Sequence, residues 1–194
     1  MKKGLIMIET TVTTVYVSDD GEEIEIPFTP CDHLYGLPND GVVNDKNEIR
    51  FAVQSFSSES FEDIMGDEDV VIKNFSLDRN FSEDDFEDFT NDMISKGYVV
   101  YGVGKYEHGY VQYSIHTHSR TDWDYGLAGL IAVNKSIDDT VQVAMNYLEY
   151  YTDWANGNIY TLVRVPKNDP NNYDCIDGFI GSDDAVNALM TGDF

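Results

Sequence analysis

Residues 98–133 read YVVYGVGKYEHGYVQYSIHTHSRTDWDYGLAGLIAV. Three runs within this stretch are rich in Val, Ile and Tyr, the types that fit a pleated, half-buried surface. Tyr98–Val103 and Gly109–Ile115 flank the tight connection Lys105-Tyr106-Glu107-His108-Gly109. Gly126–Val133 reads as a third strand, opened by Gly126 and Gly129. Toward the C-terminus the period changes. A helix is predicted over about 136–155, capped by Ser136. Ile137, Val141, Ala144, Met145 and Leu148 form its core stripe. Val143, Tyr147, Tyr150 and Trp154 form a second stripe, which predicts cover on two sides. Asn156-Gly157 ends the helix, Ile159–Val165 reads as a strand, and residues 166–174 as a loop. Phe179-Ile180 closes the sheet, and Ser182 caps a short last helix.

Toward the N-terminus, a helix is predicted over about 82–96. The Ser82 hydroxyl can cap its free N–H groups, and Glu83, Asp84 and Asp85 suit the positive end of its dipole. Phe86, Phe89, Met93 and Ile94 make one buried stripe, and Gly97 stops the helix. Glu48 to Gln54 and Val70 to Phe75 read as strands, with a short acidic helix from Glu59 to Met65 between them. Residues 29–47 carry Pro30, Gly36, Pro38 and Gly41 and read as a long loop. Residues 5–17 and Glu22 to Phe28 read as a hairpin about Asp20-Gly21, with Glu23 and Glu25 on its outer face. The predicted class is α+β: an antiparallel or mixed sheet with two main helices and a short C-terminal helix. An acidic, β-rich region 1–97 with one helix precedes an α+β scaffold 98–194, or the two form one continuous domain.

The chain of 194 residues carries 36 acids and 12 bases, a net charge of −24. Apolar residues make up 42% and aromatics 13%, which predicts a packed core, since a disordered acidic tail is poor in both. Abundant Ile, Asn, Tyr and Phe argue for a selected acidic surface over adaptation to high salt. Residues 59–92 hold thirteen of the acids against Lys73 and Arg79. Such charge repels nucleic acid and anionic membrane and attracts basic protein surfaces. On the predicted helix, Asp84, Asp88 and Asp92 recur at i, i+4 and i+8, with Glu83 and Glu87 beside them. Each like-charge pair of that spacing costs about 0.2–0.5 kcal/mol in an isolated helix, so keeping several suggests use. The predicted partner-binding set is Glu59, Glu62, Asp63, Asp67, Glu68, Asp69, Glu83, Asp84, Glu87, Asp88 and Asp92.

Catalytic signatures are weak. His116-Thr117-His118, with Asp122 and Asp124 following, has donors that suit Zn²⁺ or Fe²⁺, but the spacing is common by chance and a solvated loop is the simpler reading. Cys31-Asp32-His33 reads as a buried small thiol in a loop. Gly102-Val103-Gly104 lacks the third glycine of a dinucleotide loop, and neither a P-loop nor G-x-S-x-G occurs. Tyr147, Tyr150, Tyr151 and Trp154 read as aromatic core, since base-stacking platforms sit in positive grooves. No cofactor, no resident metal and no catalytic residue are predicted. The apolar start Leu5–Ile8 stops at Glu9, shorter than the roughly 7–15 residues of a signal peptide core. No apolar run approaches the roughly 18 residues of a membrane span. A cytoplasmic, reduced setting is expected, with Cys31 and Cys175 outside any disulfide framework.

Four short motifs carry a resemblance. They are Tyr106-Glu107-His108-Gly109, then Trp123-Asp124-Tyr125-Gly126 with Gly129-Leu130-Ile131, then Tyr151-Thr152-Asp153-Trp154-Ala155-Asn156-Gly157-Asn158-Ile159-Tyr160, and finally Cys175 with Gly178-Phe179-Ile180-Gly181. In this order they resemble an uncharacterised family of small proteins common in phages and mobile elements of Gram-positive bacteria. The resemblance covers about residues 98–181. Tyr125 stands where that family usually has Ser, and Ile176-Asp177 where Trp is usual. The resemblance implies a phage or mobile-element origin, with His108, Trp123 and Asp124 as a candidate family site.

The leading expectation is a non-enzymatic protein, monomeric or homodimeric, acting in the host cytoplasm. It binds and inhibits a basic, nucleic-acid-binding host protein, an anti-CRISPR or anti-restriction role in which the acidic face can mimic DNA. Neither nucleic acid nor membrane is a direct partner. Two alternatives stand beside it. One is a metal-dependent enzyme acting through His108, His116, His118 and Asp124. The other is an accessory phage protein whose acidity only confers solubility.

Overall fold

A computed structural model describes residues 14–17, 23–26, 28–37, 41–55, 60–65, 68–74, 82–116 and 124–194. In chain order the elements are β1 (Thr14–Val17), β2 (Glu23–Ile26), β3 (Val42–Asn44), β4 (Glu48–Gln54), α1 (Phe61–Met65), β5 (Val70–Asn74), α2 (Glu83–Ser95), β6 (Tyr98–Glu107), β7 (Val111–Ile115), β8 (Tyr125–Asn134), α3 (Thr140–Ala155), β9 (Ile159–Pro166), β10 (Asp174–Ile180) and α4 (Ser182–Thr191). Every strand pairing among the described residues is antiparallel, and the class is α+β, as the sequence predicts. The chain forms two compact units, Met1–Ser57 with Ile159–Phe194, and Ser58–Asn158. The expected division at 97/98 falls inside the second unit, because β6 pairs with β8 and β8 with β5, which ties the chain before residue 97 to the chain after it.

In the first unit, β1 and β2 form the expected hairpin, with Val17 opposite Glu23. The Asp20-Gly21 turn and the strand before Thr14 lie outside the described residues. A second sheet runs β10-β9-β4-β3. Alternation along β4 and β9 sends Ile49, Phe51, Val163 and Val165 to one face, where Ile26 of β2 covers them. Ala52, Leu162 and Tyr160 go to the other face, against Leu34 and the Ala185, Ala188 and Leu189 stripe of α4. With both faces covered, β4 is apolar on both sides over its middle. The loop expected over 29–47 contains β3, and Phe179-Ile180 is the end of a longer edge strand, β10.

Arg50 and Arg164 sit directly opposite each other on β4 and β9. Arg50 is only 6% exposed. Two guanidiniums side by side repel unless anions surround them. Glu48 lies between, 3.4 Å from the Arg50 Nε and 3.9 Å from the Arg164 Nε, and Asp45 is 3.5 Å from Arg50. The end of α4 does the rest. Met190 offers its carbonyl to Arg50 at 3.5 Å, Gly192 and Phe194 offer theirs to Arg164, and the Phe194 ring lies under the Arg164 guanidinium. The Met190 and Gly192 carbonyls lie at the negative end of the α4 dipole.

In the second unit a sheet runs β5-β8-β6-β7. α3 lies on the face that carries Tyr101 and Tyr113: Tyr101 Oη is 2.7 Å from Thr140 Oγ1, and the Tyr113 and Tyr151 rings meet edge to face. Phe61 of α1, 1% exposed, is ringed by Tyr147, Tyr151 and Trp154 at 5.0–5.9 Å between centroids. Asn74 donates to both Tyr113 Oη and Tyr151 Oη, which satisfies the phenols inside this cluster. The Tyr147, Tyr151 and Trp154 group is therefore core.

Several local readings shift. α3 starts at Thr140, because Asn134 Oδ1 takes the Ser136 N–H and hydroxyl and so occupies the expected cap. Asp139 caps instead, in the left-handed region at φ 53°, its carboxylate accepting from the Gln142 N–H. Val141 and Met145 of the expected core stripe are exposed, and the buried face is Ala144, Tyr147, Leu148, Tyr151 and Thr152. Gly181, not Ser182, caps α4.

Candidate interaction surface

α2 begins with Ser82, as the sequence predicts, in a capping box that it shares with Asp85. The Ser82 hydroxyl and N–H both donate to Asp85 Oδ2 at 2.8 Å. The Ser82 N–H, then its hydroxyl, hold the Asp85 carboxyl below its usual range, and Lys73 on β5 adds to the effect. Asp85 is thus spent on the helix start. A depressed carboxyl contributes stability above its ordinary value near pH 3.9 and loses it as pH falls through the lowered one. Below about pH 4 the thermal midpoint of the wild type is therefore expected to fall more steeply than that of Asp85→Asn, measured by circular dichroism.

Phe86 and Phe89 are half-buried and Met93 is buried, so α2 turns Asp84, Glu87, Asp88 and Asp92 outward. Ile94 is 57% exposed, against expectation. It lies about 100° round the helix from Met93, beyond the strip that α2 buries. Asp92 pairs with Lys96 at 2.7 Å. Among the described residues, Asp84, Glu87 and Asp88 have no ion-pair partner. A shallow depression of about 340 Å³, lined by Phe86, Glu87, Thr90 and Asn91, adjoins them.

The rest of the predicted set is placed in part. Glu68 and Asp69 are exposed at the entry to β5, where the Asp69 carboxylate accepts from Asn134 Nδ2 at 2.8 Å. Glu62 and Asp63 belong to α1, and Glu83 opens α2. Glu59 and Asp67 lie outside the described residues.

Of the candidate family site, His108 Nδ1 and Asp124 Oδ2 come within 3.4 Å at the surface, while Trp123 lies outside the described residues, as do His118 and Asp122. The His116 ring stacks on Tyr125, with the centroids 5.5 Å apart. Tyr125 in turn lies across Gly104, where a Cβ would meet the phenol at 2.0 Å. The described residues hold no group of three His, Cys, Asp or Glu side chains suited to a metal. Cys31 is buried in the first unit's core, and burial pushes its thiol pKa up. Cys175 is exposed, and both thiols are free. No helix among the described residues is long and apolar enough to cross a membrane.

Sequence reasoning missed a cleft between β7 and α3, lined by Tyr110, Tyr113, Ile115, Met145, Glu149 and Asp153. Its one legible trace is Val141, Met145 and Glu149 at i, i+4 and i+8, an exposed row on α3. The chain matches no protein-family model, no curated protein and no solved structure.

Proposed function

We propose that this chain is a non-catalytic binding protein that docks the acidic face of α2 on a basic protein surface. The observation that carries the reading is the row Asp84, Glu87 and Asp88, held outward and left without ion pairs among the described residues. Unpaired surface carboxylates on a helix repel one another and attract basic partners, so a bound cationic surface relieves the repulsion. The partner class that fits is a nucleic-acid-binding protein of a host defence system, restriction or CRISPR, in keeping with the resemblance of residues 98–181 to phage proteins.

The size of the face limits the mimicry. From Glu83 to Asp92 the helix rises about 13 Å at roughly 1.5 Å per residue. Duplex DNA carries one charge per about 1.7 Å of axis. One helix therefore imitates a few phosphates and blocks part of a nucleic-acid site. The test is capture from bacterial lysate with the wild type and with Asp84→Lys/Asp88→Lys/Asp92→Lys. Basic nucleic-acid-binding proteins are expected on the wild type and depleted at least tenfold on the variant. Equal recovery on both sinks the reading.

A further inference from the structure

Among the described strands, β7 lies at the edge of its sheet. Its even-numbered residues pair with β6: the His116 N–H donates to the Gly102 carbonyl at 2.7 Å, and antiparallel pairing alternates from there. The odd-numbered residues turn their backbone groups to the open edge. α3 covers the first half of that edge. Asn156 accepts from the Val111 N–H at 3.0 Å and donates to the Val111 carbonyl at 2.7 Å, and Thr152 Oγ1 accepts from the Tyr113 N–H at 2.9 Å. Beyond this point the cover stops. Among the described residues nothing takes the Tyr113 carbonyl or the Ile115 N–H.

A cleft of about 490 Å³ opens beside these groups. Its lining includes the apolar Ile115 and Met145, the latter 51% exposed. It also includes Glu149, Asp153 and Tyr110, which is 49% exposed. The three side chains line the same cleft, and burial, then Asp153 and Glu149, raise the Tyr110 phenol pKa. Asp153 Oδ1 accepts from Asn158, and among the described residues neither carboxylate has a cation. An unpaired strand edge, apolar side chains, an aromatic ring and two carboxylates in one cleft complement one kind of ligand.

We propose that this cleft takes an extended, basic peptide segment of a partner protein, which pairs its backbone with β7 at Ile115 and sets a lysine or arginine against Tyr110, Glu149 and Asp153. The main-chain bonds supply affinity and the alternate side chains supply selectivity. The cation gains two carboxylates and a ring face. Occupancy of this cleft does not depend on α2.

The probe is a capped hexapeptide of alternating valine and lysine, titrated into the whole chain and followed by amide chemical shifts. Shifts are expected at Tyr110, Ile115, Met145 and Glu149. Binding is expected to weaken at least about tenfold with Glu149→Lys, with a peptide N-methylated on its pairing edge, and with Ile115→Pro, which removes an outward N–H that an edge strand can spare. The Asp84→Lys/Asp88→Lys/Asp92→Lys variant should bind the peptide as the wild type does, which separates this site from the α2 reading. Equal binding of the N-methylated peptide or of a valine–glutamate peptide overturns the proposal. So do shifts confined to α2, or no binding at about 1 mM peptide. Glu149→Lys alters an exposed side chain and keeps the test open if Ile115→Pro does not fold.

Discussion

Phe61→Ala is expected to destabilise the 58–158 unit by about 3–5 kcal/mol, the range for removing a fully buried aromatic. Phe61 is the only residue of the five-residue α1 that is fully buried among those described. A helix that short does not persist on its own, so its place depends on this ring. Tyr147, Tyr151 and Trp154 all present edges or faces to it, and each such contact contributes about 0.5–1.5 kcal/mol beyond area. The loss also leaves a cavity on the buried side of α3. Urea unfolding followed by tryptophan fluorescence is the measurement, with Trp154 5.9 Å from Phe61 as a local reporter. Phe61→Leu should fall between wild type and alanine. A loss under about 1 kcal/mol would mean that the aromatic cluster does not organise this unit.

The second large effect is expected at Arg50. Arg50→Ala removes a buried cation that Glu48, Asp45 and the Met190 carbonyl surround, and leaves the end of α4 without its anchor. Breaking a buried pair by deleting one partner costs about 3–5 kcal/mol, and the lower end applies because Asp45 is half in solvent. Arg50→Met keeps the apolar stem and removes the like-charge contact with Arg164, so it should cost clearly less. Arg164→Ala should also cost less, since Arg164 is more exposed than Arg50. Denaturant midpoints of the three variants give the order. Equal losses for Arg50→Ala and Arg50→Met would show that charge alone, not the packed stem, holds α4.

The strands of residues 98–133 and β4 were legible because their β-branched runs end in polar or glycine breaks. α2 was legible because Ser82, its acidic first turn and Gly97 mark both ends. What was not legible depends on which partner each side chain takes once folded. Ser136 looks like a cap until Asn134 folds back on it. Val141 and Met145 look buried because periodicity shows a stripe and not what covers it, and here the cover stops where α3 runs along the edge of β7. β10 is interrupted by Asp177-Gly178, where its register on β9 shifts, so only the pairing with β9 shows it as one strand. The acidic residues were legible as charge. That Asp85 is spent on the start of its own helix and Asp69 on Asn134 of β8, leaving Asp84, Glu87 and Asp88 outward, needed the fold. The β7 cleft is assembled from two elements about thirty residues apart, and no local pattern announces it.

The central claim is that α2 binds a basic partner through charge. Its most direct measurement is the affinity of the captured basic protein for this chain between about 50 and about 500 mM salt. The account predicts affinity that falls steadily with the logarithm of salt, and a clearly flatter dependence for the Asp84→Lys/Asp88→Lys/Asp92→Lys variant. Affinity unchanged across that range would contradict it.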